Sequence, residues 1–524
     1  MSRGAARAVT GHTLAGAGAL AFAVMALIAF TGRYHEFWRD EVHQQLLAAN
    51  IPLHRFFLTR RVEGVPTLLG LFLKAFAVVL PLRASLLLGG ALGYGTLLFG
   101  TYRCVLSISR RPTASLVVTA LLGVTYMYAY EYGVMMREYG LGAGLGLATN
   151  GYLRDALRGR SVRPVVLGTV TGALCACTGA HALTLAGGAF AAFAVVVVWR
   201  DRGVRRILPT LGALPFLALA LYLALPFPGR TSEANVDAHR PAEMFTRYAL
   251  QAISGGFTTQ DWWVTASFGD PRVLDLIAHF RHWGVVGIAL GVAYSTILRL
   301  TPDWSDYRPI LFYDLLAVAV GWLPLLEIVV NHYWGSPRHH GFFALPVLAL
   351  LAGWGLQRGG GAAPWAGAGA LVLLVPWLAY QYVVCVRDLD LEVRLPFSDT
   401  KEAAAMVPPG AHLVVDSLTM QEAFMFWQPT LSVRGGDNGG RHLGAIAPDP
   451  LWNMRVPLVP LVREECAAAP NTTYYSGPGY SVQSILRCLK PLRTATPHSE
   501  QLRADERSDL WRVDCTCATA PGGS

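Results

Sequence analysis

Apolar stretches close to twenty residues long recur from the N-terminus to about residue 385, separated by short loops rich in arginine. A helix rising 1.5 Å per residue needs about 20 apolar residues to cross the roughly 30 Å hydrocarbon core of a bilayer. In that solvent only helices and closed barrels can satisfy their own backbone groups. The pattern therefore predicts a polytopic helical membrane domain. Composition agrees, with 53% hydrophobic and 15% charged residues, where a soluble domain carries about 25% charged. The net charge of +9 lies largely in loops between apolar segments, so it calls for a lipid bilayer as partner and not for nucleic acid.

Candidate spans are 13–31, 84–103, 113–130, 138–153, 164–181, 183–199, 207–226, 283–300, 309–330, 338–357 and 364–385. The loops "RDALRGRSVR" (154–163) and "RDRGVRR" (200–206) are the most basic and are assigned to the cytoplasm by the positive-inside rule. The apolar stretch between them is then a hairpin whose tip, at His181, lies on the outer face. Parity closes if "VPTLLGLFLKAFAVVL" (65–80), which carries Lys74, is an interfacial or re-entrant helix and not a crossing. The expectation is about eleven transmembrane helices, a cytoplasmic N-terminus, and interfacial helices in a first outer loop over 32–83. From residue 387 the composition turns polar. "AHLVVDS" (411–417), "NTTYYSGP" and "DLWRVDC" read as strands and "TMQEAFMFW" (419–427) as a short helix. The predicted fold class is thus an all-α membrane domain, 1–386, followed by a small outer-face α/β domain, 387–524. Cys104, Cys175, Cys177 and Cys385 fall in or beside apolar segments and read as buried thiols. Cys466, Cys488, Cys515 and Cys517 lie in the polar part, where an oxidising compartment would join them in one or two disulfides.

Polar groups that sequence topology sends to the outer face are the candidate site. Asp40 and Glu41 follow the first span directly, with His35 and His43 beside them, and Arg60, Arg61 and Glu63 come later in the same loop. Taken alone, the Asp40–Glu41 pair is a helix cap that complements the dipole. The arginines of this loop run against the positive-inside trend and suit an anionic ligand or anionic lipid head groups. "MREYG" places Arg137, Glu138 and Tyr139 where a span begins, and "HYWGSPRHHGFFALP" places His332, Arg338, His339 and His340 between two spans. Transfer of a group from a lipid phosphate would use such a set. Guanidinium groups stabilise the departing phosphate, one carboxylate deprotonates the incoming hydroxyl, and a second orients the acceptor or holds a divalent metal ion. Outer-face carboxylates and histidines serve with or without such an ion, so metal dependence is left open.

Together these segments resemble the GT-C glycosyltransferases, in particular bacterial relatives of the protein O-mannosyltransferases and of the lipid A aminoarabinose transferase. "RDE" (39–41) stands where that family has its "DE" after the first span, and "VEGVPTLL" (62–69) where it has an "EGHPPLYY"-like segment. "MREYGL" (136–141), "TGAHAL" (178–183) and "RHHGFFALP" (338–346) follow in the family's order. The resemblance implies polyprenyl-phosphate sugar donors, inversion at the anomeric carbon and an outer-face acceptor. It implies Asp40, Glu41 and Glu63 as the catalytic carboxylates and Arg137, Arg338, Arg60 and Arg61 around the donor phosphate. His43, Tyr139, His181 and His339 would contact substrate. The family's His-Pro-Pro is Val65-Pro66-Thr67 here and its tyrosine pair is Leu68-Leu69, so the contact of that histidine is either missing or supplied by His43 or His339. Two other classes make different predictions. A transporter or flippase for lipid-linked sugars predicts paired broken spans and internal symmetry, and a scaffold predicts a dispensable 40–63 loop.

Overall fold

A computed structural model describes residues 3–35, 37, 39–54, 56–57, 68–159, 161–200, 203–224, 308–322, 337–356, 363–394, 400–415, 424–435, 458–477, 479–493 and 509–519. Over these residues the chain is mostly helical, with one five-stranded sheet near the C-terminus. The helices are α1 (Arg3–Tyr34), α2 (Arg39–Asn50), α3 (Leu68–Ala77), α4 (Leu82–Ser109) and α5 (Pro112–Gly123). A π-helix (Tyr126–Val134) follows, then α6 (Tyr139–Arg158), α7 (Arg163–Ala176), α8 (Ala180–Trp199) and α9 (Leu214–Ala224). After a long undescribed segment come α10 (Arg308–Gly321), α11 (Pro337–Leu356) and α12 (Ala363–Arg394).

Local chemistry sets several of these boundaries. Pro81 precedes α4 with its φ at −55°, and α4 stops where Arg110 turns to φ 60° and its N–H closes on the Leu106 carbonyl. Pro112 opens α5 from the first helical position, where a missing N–H costs nothing. Lys74 is bound to the chain itself. Its Nζ donates to the carbonyls of Ala48 (3.0 Å) and Ile51 (2.6 Å), closing the C-terminal turn of α2. At ten residues, α3 spans about 15 Å, so the expectation that 65–80 is no crossing agrees with its length.

Among the described residues two helices, α4 and α8, are long and apolar enough to cross a membrane, and a third span results if α5 and the π-helix count as one. That is fewer than the eleven expected. The expected span 113–130 breaks after Gly123, and its two halves are bent by 67°. α7 has fourteen residues, about 21 Å, and α6 carries Arg154, Asp155 and Arg158 in its last turns. The stretch 283–300 lies outside the described residues.

α4 and α6 make the most extensive helix contact. Small residues allow it: a Cβ at Gly100 would lie 1.9 Å from the Gly144 carbonyl oxygen, and one at Gly144 would lie 2.3 Å from that of Thr96. Close backbone approach of this kind is how helices pack in lipid, where no hydrophobic force drives them together.

α12 continues past residue 386, the boundary expected from composition, to Arg394. Beyond it α13 (Thr400–Met406) leads to β1 (His412–Val415), β2 (Ser432–Gly435), α14 (Leu458–Ala468), β3 (Thr473–Ser476), β4 (Leu489–Arg493), β5 (Leu510–Val513) and α15 (Cys515–Thr519). The strand order is β2-β1-β3-β5-β4, parallel around β1 and antiparallel around β5. The period-2 pattern divides the strands between two apolar layers. Leu413, Val415 and Tyr474 join Phe424, Leu431 and Val433 on one face, while Val414 and Tyr475 meet Leu461, Val462 and Ile485 on the other. The three strands expected from sequence are β1, β3 and β5. The two missed, β2 and β4, are the sheet edges, where one-sided pairing asks for less apolar sequence. Of the expected helix 419–427, the described part, 424–427, is helical. Disulfides join Cys466 to Cys515 and Cys488 to Cys517, fastening α15 to α14 and to the turn before β4. The other four cysteines are free thiols.

Candidate active site

The described residues of three of the segments that sequence topology gathers on one face, around Glu41, Arg137 and His181, lie together at one end of the helical bundle. Glu41, on α2, points inward and is wholly buried. One carboxylate oxygen accepts from the backbone N–H of Met136 (2.6 Å), and the other pairs with His35 Nε2 (2.9 Å). His35 Nδ1 pairs in turn with Glu392 on α12 (2.7 Å), whose second oxygen accepts from the Tyr130 hydroxyl (2.9 Å). The side chains of His35, Glu41 and Glu392 have no solvent exposure. Burial by itself would lower the His35 pKa, but the carboxylates of Glu41 and Glu392 on its two sides outweigh it and raise it to about 10. The imidazolium is therefore the resident form at neutral pH.

That charge has a testable consequence. The folded pKa of His35 lies above the ordinary 6.5, so the folded state holds this proton more tightly than the unfolded one. The stabilisation is complete below about pH 6.5 and is lost as pH rises through about 10. The melting temperature of the wild type should fall between these limits, and His35→Gln should remove that part of the slope, as measured by thermal unfolding in detergent.

Arg137 opens the turn into α6. Its Nε lies 3.5 Å from Glu138 Oε2, its guanidinium reaches the Tyr139 hydroxyl (3.4 Å) and lies over the Tyr139 ring at 5.5 Å. Gln44, one turn along α2 from Asp40 and Glu41, donates to the same Glu138 oxygen (2.9 Å). α2 and the Arg137 turn are thus joined twice, at Glu41–Met136 and at Gln44–Glu138. Helix α8 begins beside them. The α7–α8 hairpin turns at 177–179, just before His181, and the Leu68 N–H at the start of α3 donates to the Cys177 carbonyl (2.8 Å). His181 packs its ring 5.9 Å from Phe342, and Phe342 meets Tyr139 edge-on at 6.2 Å. Phe342 lies early in α11, the helix that carries Arg338 and His339 in its first turn.

Of the residues singled out from sequence, Glu41, Arg137, Tyr139 and His181 are thus brought to one end of the bundle. Asp40 and His43 lie on α2, and Arg338 and His339 on α11, with side chains outside the described set. Arg60, Arg61 and Glu63 lie outside the described residues altogether. Among the described residues no group of three or more His, Cys, Asp or Glu is arranged to hold a metal ion. Sequence reading missed Glu392, Tyr130 and Gln44. A signal for Glu392 was present: "RDLDLEVR" (387–394) places Asp388 and Glu392 four apart at the end of the last apolar helix, as Asp40–Glu41 stand after the first, and both are buried.

The C-terminal part that carries the sheet touches this end of the bundle. Phe37 stacks on Trp427 (6.1 Å, 12° between planes) and meets Phe426 edge-on at 6.0 Å. Trp427 packs against the core of the sheet and against that of the membrane part at once.

No protein-family model matches this chain, and no curated protein matches its sequence. Solved structures do. An Archaeoglobus fulgidus oligosaccharyltransferase tethered with an acceptor peptide containing the NVT sequon is similar at 11% identity and a TM-score of 0.43, over 80% of this chain and 63% of that one. The archaeal oligosaccharyltransferase AglB of the same organism, in complex with an inhibitory peptide and a dolichol-phosphate, is similar at 11% identity and a TM-score of 0.44, over 88% and 69%. This chain spans less than two thirds of the length of the first, at 63%.

Proposed function

We propose that the protein is an integral-membrane inverting glycosyltransferase of GT-C type, which moves a sugar from a polyprenyl phosphate to a hydroxyl of an outer-face protein, lipid or glycan. The observation that carries this reading is the double fastening of α2, which bears Asp40, to the Arg137 turn, through Glu41–Met136 and Gln44–Glu138. It joins a carboxylate-bearing helix to a guanidinium at the end of the bundle where the segments of sequence resemblance meet.

In this reading the acceptor hydroxyl gives its proton to Asp40 as its oxygen attacks the anomeric carbon. The bond from that carbon to the phosphate oxygen breaks, and polyprenyl phosphate leaves with its charge held by Arg137 and Arg338. Phosphate is a good leaving group, so one general base suffices. Glu63 is the second acidic site, Arg60 and Arg61 extend the cationic face, and His43, Tyr139, His181 and His339 line the sugar and acceptor side. The membrane part, 1–386, holds the reaction, and the part from 387 to 524 lies on the outer face, a placement its two disulfides support.

The test is turnover by purified protein in lipid with a panel of radiolabelled polyprenyl-phosphate sugars and candidate acceptors. Wild type should release polyprenyl phosphate, and Asp40→Asn should lower the rate by about 100-fold or more while donor still binds. Donor binding without turnover in the wild type would favour a transporter or binding protein for lipid-linked sugars.

A further inference from the structure

The buried chain of charges is closed on itself. It starts at the Met136 N–H, runs through Glu41, His35 and Glu392, and ends at the Tyr130 hydroxyl. Both ends belong to one short segment, the last residues of the π-helix and the turn after it. That segment is irregular: the Met135 N–H returns to the Tyr130 carbonyl (3.1 Å), and the Arg137 N–H to the Met135 carbonyl two residues back (2.9 Å). A π-helix is rare and is frequently found at functional sites. Here it directly precedes Arg137.

Two carboxyl groups and an imidazole without solvent exposure are a costly way to pack helix ends. Desolvation takes several kcal/mol per ion, and apolar residues of like volume hold a core equally well. What the network supplies that apolar contacts lack is direction. Each carboxylate accepts one bond from His35 and one from the segment leading to Arg137, so the ends of α1 and α12 and the start of α2 jointly determine where that segment lies.

We propose that His35, clasped between Glu41 and Glu392, is a positioning residue that sets Arg137 for a lipid-linked phosphate, and that Glu41 acts through this clasp and not in proton transfer. The proposal rests on the reading of Arg137 as a phosphate ligand. It gives Glu392, near the end of α12 and 351 positions after Glu41, a role in donor binding. Because Glu392 ends the helix that leads into the soluble part, donor affinity depends on how that helix is seated.

The test uses the full-length protein in nanodiscs and radiolabelled polyprenyl phosphate without sugar. Binding is compared for wild type, Arg137→Ala, Glu392→Gln, His35→Gln and the double variant Arg137→Ala/Glu392→Gln. Glu392→Gln keeps the size of the side chain and an acceptor for Tyr130 while removing the charge that His35 needs. The expected result is a loss of affinity of about tenfold or more in Glu392→Gln and in His35→Gln, with no further loss in the double variant beyond Arg137→Ala. Wild-type affinity in Glu392→Gln, or a double variant that loses the product of the two single effects, would overturn it. Hydrogen exchange over 126–139 gives a readout without ligand. The Met136 and Arg137 amides should exchange faster in Glu392→Gln than in wild type, and unchanged exchange there sinks the clasp whether or not polyprenyl phosphate binds. If wild type does not bind polyprenyl phosphate while exchange responds as expected, the clasp stands and the phosphate role of Arg137 falls.

Discussion

Asp314→Ala should destabilise the protein by about 3–5 kcal/mol, the range for removing one partner of a buried ion pair. Arg154 on α6 is 1% exposed and donates to Asp314 Oδ1 on α10 from Nε (2.8 Å) and from a terminal nitrogen (2.5 Å). Its other terminal nitrogen donates to Ser107 Oγ on α4 (2.6 Å), so one guanidinium ties three helices together. The Tyr313 hydroxyl donates to Asn150 (3.0 Å), one turn before Arg154, and continues the polar seam. Without Asp314 the arginine keeps its charge in an apolar surround, with only hydroxyl and thiol neighbours. Asp314→Asn keeps an acceptor and should cost less. The double variant Arg154→Leu/Asp314→Leu should recover most of the loss, because it removes both desolvation penalties together. Denaturant titration in mixed micelles measures the difference, and a single variant as stable as wild type would mean the pair contributes no net stability.

Gly100→Ala should be as damaging or more so, for a steric reason that no rotamer can relieve. The added methyl would lie 1.9 Å from the Gly144 carbonyl oxygen and 2.6 Å from its carbon, both backbone atoms. Helices α4 and α6 must then move apart, which loosens the packing along their shared seam. Cavities left by such a shift cost 2–5 kcal/mol in the manner of large-to-small core changes, about as much as a small domain can spare. Gly95 on the same helix is the control, since nothing lies within 4 Å of its added Cβ. Gly95→Ala should leave stability unchanged or raise it by up to about 1 kcal/mol through helix propensity. The yield of monodisperse protein after extraction separates the two, and equal yields would show that the α4–α6 contact is looser than described.

Several features of the site were legible because they depend on solvent and local order. Glu41 after an apolar run, Arg137 and Tyr139 at the start of another, and His181 near a hairpin tip are positions that hydropathy and arginine placement assign to one face, and these four lie at one end of the bundle. The core strands β1, β3 and β5 were legible because double-sided pairing and burial demand near-continuous apolar sequence. The edges β2 and β4 were not, since "SVRG" and "LKPLR" meet a weaker demand. The tyrosines of "YMYAYEYGV" repeat every second residue, as in a strand. They form a π-helix instead, because the four rings find separate buried partners. Tyr126 meets Glu131, Tyr128 meets Thr101, Tyr130 meets Glu392, and Tyr132 packs on Tyr139.

From the sequence alone followed the mostly helical class, the small sheet near the C-terminus and the pairing-capable cysteines. All of these rest on the free energy of moving a residue between water, lipid and a packed core, which each residue carries with it. Only the tertiary structure decided that Glu41 turns inward to His35 and Met136, that its second partner by way of His35 is Glu392, 351 positions on, and that Lys74 closes α2. Those choices depend on which distant backbone amides and carboxylates meet at hydrogen-bond distance, a matter of helix packing that no local pattern encodes.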